Sequence, residues 1–515
     1  MPATSTTAEV VQSELEAVQP YSMHVSSKYL ELTNKKLQLT RLPREIELPD
    51  EKRWDYGTPK SVLEPLLDFW LEKYDWRTQE QLFNTTLPQF RTTVKSPPPS
   101  TDAAGTSSSL RIHFVHKRST HKDAIPLLFC HTWPASFIEV HKIIDALTEP
   151  QSLPGYDSGA QVAFHVVAPS IPGFGFSDSS SHYDFGARQT ADAFHQVMET
   201  LGYTTYVSHG TGWGFNVCRA LALGYPQSCM AVHTANPSFA EPTMRRTPAA
   251  WMKYQVARWT RGKISSLNFG YLPAEVEASE YTEQGSVQKT QLTGTHKELG
   301  IPTLASLHAQ RPQTLAFSLC DSPIGLLASL LDSVHTRDSS GASLPARAQS
   351  PFLSPSELEM QEVQEIRHAR SSRHESEIKA QSYTWTPTEL LNWTMLQWLP
   401  GPEASLRWLR CASVEASTTS AFSTAYCEVP LGISSFRGGD GGSTSDNRNS
   451  SSKRRRAAHT PLMWGSAVWN LVWTKRHQHR ASISAAWEAA DLLVVDMREY
   501  FGSVVLASFK ERQRE

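Results

Sequence analysis

The apolar residues of the chain fall into two alternating rhythms. Short runs at Leu110 to His116, Ile125 to Cys130, Ala163 to Ala168 and Thr205 to Ser208 read as strands, and stretches of helical spacing at Phe137 to Leu147 and Thr190 to Leu201 lie between them. Strand alternating with helix predicts an α/β architecture, a doubly wound and mostly parallel sheet whose site lies at the carboxyl ends of the strands. Upstream, Val62, Leu66, Phe69 and Trp70 fall on one face of a helix over Ser61 to Lys73, which predicts a helical N-terminal extension covering 21–109. Downstream, 239–410 is helix-rich and suits a lid inserted into the sheet, between a first core part at 110–238 and a last one at 411–515. The closing strand and helix are expected within Pro461 to Ser508.

Polar punctuation separates these blocks. Ser96 to Ser109 and Ser333 to Ser350 read as loops, and the Gly, Ser, Asn and Arg-rich stretch 438–456 as a disordered insert. Its Lys453, Arg454, Arg455 and Arg456 fit a solvated loop better than an address signal. Residues 1–20 lack an apolar run and read as a disordered tail, neither signal peptide nor anchor.

Composition narrows the partners. At 515 residues, with 39% hydrophobic residues and 15 Trp, the chain has enough apolar surface for a large core. A formal charge of -2 provides no global attraction to nucleic acid or to an acidic membrane, so the expected partner is a small hydrophobic molecule. Six cysteines are scattered without a CxxC pair, and no segment is long and apolar enough to span a bilayer. Reduced thiols and a cytoplasmic location are expected.

Five segments carry a specific resemblance. "WDYG" with Trp54, Tyr56 and Gly57 precedes "WLEKYDWRTQE", Trp70 to Glu80; "HTWPASFIEVHKIIDALTEP" spans His131 to Pro150; "FHVVAPSIPGFGFSD" spans Phe164 to Asp178; "RPQTLAFSLCDSPIGLLA" spans Arg311 to Ala328; "DLLVVDMREYFG" spans Asp491 to Gly502. In this order the chain resembles the microsomal-type epoxide hydrolases, which have an α/β-hydrolase fold with an N-terminal extension and a helical lid. The resemblance implies addition of water to a small hydrophobic epoxide to give a diol, with no cofactor.

It also implies a set of site positions, and this chain departs from the set. The turn His131-Thr-Trp133-Pro134 follows a strand and can aim backbone N–H groups as an oxyanion hole. In "YVSHGTGWG" the spacing of Gly210, Gly212, Trp213 and Gly214 matches the nucleophile elbow, and Gly212 stands where the family has an aspartate. Ile483 stands at the position of the base histidine, with His477 and His479 nearby in a segment expected to be an exposed basic loop. Asp440 is displaced by one residue from the orienting acid. Leu304 and Leu409 fall where the family's lid tyrosines would donate to the epoxide oxygen.

Ser208, His209 and Thr211 flank the elbow and are expected to satisfy local hydrogen bonds. His131, His209 and Asp440 are the remaining acid–base candidates, with Trp133, Pro134 and Trp213 lining the pocket. A serine nucleophile is excluded by the glycine at the apex, and neither a metal-ligand cluster nor a phosphate-cradling P-loop is present in the sequence. Three readings follow: an active hydrolase, a degenerate hydrolase fold that binds a hydrophobic metabolite or promotes a rearrangement or cyclisation, and a non-enzymatic interaction protein.

Overall fold

In the computed structural model the described residues are 18–49, 52–96, 108–150, 162–277, 279, 311–339, 383–417, 421–436, 460–479, 481 and 483–506. Among them one nine-stranded sheet carries the fold, in the order β1-β2-β3-β5-β4-β6-β7-β8-β9. The strands are β1 Gln19–Tyr21, β2 Gln89–Ser96, β3 Ser108–Lys117, β4 Ile125–Cys130, β5 Phe164–Pro169, β6 Tyr206–Gly210, β7 Cys229–Ala235, β8 Cys427–Ser435 and β9 Trp469–Arg476. Pairings from β1 through β3 to β5 are antiparallel and the rest are parallel. The N-terminal extension therefore adds two strands to the sheet as well as helices. β1 was not legible because three residues carry no period, and β2 because its apolar positions are diluted by Arg91, Thr92, Thr93 and Lys95.

β4 is buried at every residue, as a central parallel strand covered on both faces must be. The longer helices among the described residues are α1 Ser27–Gln38, α2 Lys60–Glu72, α3 Trp76–Thr86, α4 Ala187–Thr200, α5 Gly212–Gly224, α6 Pro248–Trp259, α7 Pro312–Leu319, α8 Pro323–Ser339, α9 Pro387–Trp398, α10 Glu403–Glu415 and α11 Ala490–Val504. Asp75 caps α3 by accepting from the backbone N–H of Arg77 and Thr78. One core cluster joins Trp70, Trp385, Trp393 and Trp487 on the face covered by α2, α9 and α11; the other joins Phe194, Val217, Tyr254 and Trp408 on the opposite face.

Some boundaries move. The helix expected over Phe137 to Leu147 is a 3-10 turn at Phe137–Val140 followed by a short helix at Ile144–Thr148. α8 continues to Ser339, so its last seven residues lie in the stretch expected to be a loop from Ser333. The tail 1–17 and the whole insert 438–456 lie outside the described residues. No single described helix is long and apolar enough to cross a membrane; α7 and α8 pass that test only as a pair bent by 120°. Leu326, Leu327, Leu330 and Leu331 of α8 are buried in the core, which accounts for their hydropathy.

Candidate active site

β6 ends at Gly210, α5 begins at Gly212, and the turn between them is sharp enough to put Gly212 at φ +50°. That left-handed conformation at a strand-to-helix apex is the geometry of a nucleophile elbow. The flanking glycines have steric reasons. A Cβ on Gly214 would lie 2.1 Å from the carbonyl oxygen of Cys130, and one on Gly210 would lie 2.6 Å from the backbone of Gly214. The elbow thus retains its framework, and its apex has no side chain.

Thr132 fills the place. A Cβ on Gly212 would fall 2.6 Å from Thr132 Oγ1, and the Trp213 backbone N–H donates to that hydroxyl over 3.0 Å. Trp213 follows the apex, so its N–H is the donor this fold directs at a reacting oxygen. The Thr132 N–H donates to Glu139 Oε2 at 3.1 Å, and Ser484 Oγ donates to Glu139 Oε1 at 2.8 Å. Glu139, buried, therefore ties the oxyanion turn to the loop that carries Ile483. Ile483 and Ser484 are themselves held by Glu488 Oε1, which accepts both backbone N–H groups at 2.8 Å.

His131 is committed to this turn. Its Nε2 accepts from the Ile171 N–H at 3.0 Å, which leaves Nδ1 as the protonated nitrogen facing the Thr132 carbonyl at 3.2 Å. Burial pushes its pKa down to about 4, so it is neutral. Trp133 and Pro134 are joined by a cis peptide bond, and Gln397 of α9 donates to the Pro134 carbonyl. Trp213 meets Trp408 edge to face at 6.3 Å, and Leu409 is buried beside Trp408 on α10. Leu304 and Asp440 lie outside the described residues.

Ser208 Oγ lies 3.4 Å from Cys229 Sγ. Thr211 Oγ1 is buried without a hydrogen-bond partner among the described residues, against the expectation of a local bond. His209 belongs to an array that no local spacing announces. Its Nδ1 lies 2.9 Å from His233 Nδ1, His233 Nε2 lies 3.0 Å from Ser434 Oγ, and Ser434 donates to Asp496 Oδ2 over 2.5 Å. A carboxylate only accepts, so Ser434 must take its own hydrogen bond from His233 Nε2–H; His233 Nδ1 is then an acceptor and His209 the Nδ1–H tautomer.

His477 closes the array, with Nε2 2.6 Å from the same Asp496 oxygen and its ring stacked on Phe436 at 4.6 Å. It is not the exposed loop residue expected from sequence, because Asp496 of α11 draws it inward. Burial raises the Asp496 pKa, but hydrogen bonds from His477 and Ser434 and the charges beside it, with Lys475 at 3.0 Å, hold the carboxyl below the usual range. Burial lowers His233 to about 4 and His209 well below its ordinary value, the neighbouring imidazole adding to the latter. Among the described residues no group of three or more His, Cys, Asp or Glu could hold a metal ion.

The framework matches known proteins. Residues 18–140 match the family model described as epoxide hydrolase N terminus, and residues 125–311 match the alpha/beta hydrolase fold. The chain thus carries a segment of the epoxide hydrolase N-terminal type followed by an alpha/beta hydrolase fold. It is 31% identical to a putative epoxide hydrolase of Stigmatella aurantiaca, over 60% of this chain and 58% of the relative. It is 27% identical to juvenile hormone epoxide hydrolase 1 of Ctenocephalides felis, over 62% of this chain and 60% of the relative. The matched part thus spans about three fifths of the length of these curated relatives.

Solved structures agree on the fold. Juvenile hormone epoxide hydrolase of Bombyx mori superposes with a TM-score of 0.64 at 20% identity, covering 98% of both chains. The Aspergillus niger epoxide hydrolase gives 0.61 at 20% identity, covering 95% of this chain and 98% of that one.

Proposed function

We propose that this protein takes up a small hydrophobic epoxide, or a metabolite of similar shape, above the elbow and does not open it through a covalent ester. Similarity to epoxide hydrolases supports the ligand class. The glycine at the elbow apex carries the second half: at Gly212 there is no carboxylate to attack an epoxide carbon, and no other side chain is aimed from that position. Ile483 offers no proton acceptor at the base position. Chemistry that needs neither group, such as holding a reactive conformer for an intramolecular rearrangement or cyclisation, remains open to such a site.

Among the described residues neither candidate base compensates. Both ring nitrogens of His131 are engaged in the turn, and His209 is bonded to His233 within the sheet. We assign the pocket rim to Trp133, Pro134, Trp213 and Leu409. The unbridged cysteines among the described residues support a cytoplasmic setting. The test is calorimetric titration with a panel of aryl and alkyl epoxides followed by recovery of the ligand. Saturable binding with the epoxide returned unchanged, or returned as an isomer, supports the proposal; absence of binding across the panel, or stoichiometric alkylation of the protein, refutes it.

A further inference from the structure

Beyond the carboxyl end of β7 the chain from Pro242 to Ala274 passes through α6. This stretch holds six basic residues, Arg245, Arg246, Lys253, Arg258, Arg261 and Lys263, and no Asp or Glu, in a chain whose net charge is -2. Large apolar side chains are exposed along the same stretch: Met244 at 66%, Met252 at 60% and Trp259 at 83%, with Ile264, Leu267, Phe269 and Leu272. Single exposed apolar residues need no explanation, but seven within 29 residues among cations do.

The local fold sets their direction. α6 is fastened inward by Tyr254, which meets Trp464 edge to face at 5.4 Å and donates to Ser279 Oγ at 2.8 Å. Ala257, three positions on, is buried on the same side. Met252 and Trp259, seven residues apart, therefore share the opposite, outward face. After α6 the chain turns at Arg261 and Gly262, both with positive φ, and presents Lys263, Ile264 and Leu267 beyond the helix end. Arg245, Lys253, Arg261 and Lys263 are exposed around these apolar tips.

Basic side chains surrounding apolar tips form the pattern of a helix that lies in a membrane interface, the cations meeting anionic headgroups and the apolar residues entering the acyl boundary. Most of the exposed apolar residues here are aliphatic, and these have no stacking role on nucleic acid bases. We propose that the surface from Met244 to Leu272, centred on Met252 and Trp259, docks on an anionic lipid bilayer. Attachment is peripheral. It is independent of whether the protein acts on an epoxide.

The test is co-pelleting of the full chain with vesicles of phosphatidylcholine alone and of phosphatidylcholine with phosphatidylserine. Binding to the anionic vesicles that weakens with added salt, and much weaker binding to neutral ones, is expected. Met252→Ser with Trp259→Ser should abolish it, and each of Arg261→Ser and Lys263→Ser should lower the partition coefficient about fivefold. These side chains are exposed, so circular dichroism should show an unchanged fold. Failure of the unmodified chain to pellet with anionic vesicles overturns the proposal, as does equal binding by the Met252 and Trp259 variants. Single-stranded RNA that binds tightly and displaces the vesicles would show the surface to be a nucleic acid site instead.

Discussion

The contact between Thr132 and the elbow apex lends itself to a double-mutant cycle. A methyl group added by Gly212→Ala would lie 2.6 Å from Thr132 Oγ1 but 3.5 Å from Thr132 Cβ, an ordinary contact. Thr132→Ala should therefore remove the obstruction while leaving the backbone in place. Alanine at φ +50° costs about 1 kcal/mol in either background. Overpacking adds about 1–3 kcal/mol only while the hydroxyl is present. The cycle should thus show a coupling of about 1–3 kcal/mol, the two changes together being less harmful than their sum. Urea unfolding of the four proteins measures it. Costs that add to within about 0.5 kcal/mol would mean that Thr132 does not occupy the apex, and the geometric reading of the site would fall.

Other consequences follow from the buried polar groups. His131 and His233 are held at about 4, below the ordinary value near 6.5, so each binds its proton less readily folded than unfolded. Their contribution is complete above about pH 6.5 and is lost as pH falls toward 4, at up to about 2.7 kcal/mol per unit for the pair; urea midpoints that stay flat from pH 6.5 to 4.5 would contradict this. Ser434→Ala removes the hydroxyl between His233 and Asp496 and should cost about 1–3 kcal/mol, while nitrogen NMR of the parent protein should find His209 as the Nδ1–H tautomer. An Nε2–H tautomer at His209 would overturn the assigned hydrogen-bond direction. Glu139→Ala should destabilise the fold by about 1–3 kcal/mol, because the Thr132 N–H and the Ser484 hydroxyl lose one buried acceptor together; a loss under about 0.5 kcal/mol would deny Glu139 its linking role.

What the sequence made legible was local. The apolar run Ile125 to Cys130 is a strand buried on both faces, and the spacing of Gly210, Gly212 and Gly214 is an elbow because each flanking position abuts backbone. What escaped the sequence was long-range. Glu139 reads as one more residue of a helix, yet it joins Thr132 to Ser484 across the fold. His209, His233, Ser434 and Asp496 are separated by 24, 201 and 62 positions and meet only because β6, β7, β8 and α11 are neighbours. Thr132 reads from sequence as an ordinary member of a His-Thr-Trp-Pro turn. Its role depends on the absence of a side chain eighty positions away, and no local pattern carries that information.

The central claim is that the apex lacks the group that would open an epoxide. It is tested most directly by incubating the unmodified, purified chain with aryl and alkyl epoxides and measuring diol. No diol above the rate in buffer is expected. Recovery is expected only when Gly212→Asp and Ile483→His are combined with Thr132→Ala, which makes room for the new carboxylate. Diol formed catalytically by the unmodified chain would contradict it and would place the nucleophile elsewhere.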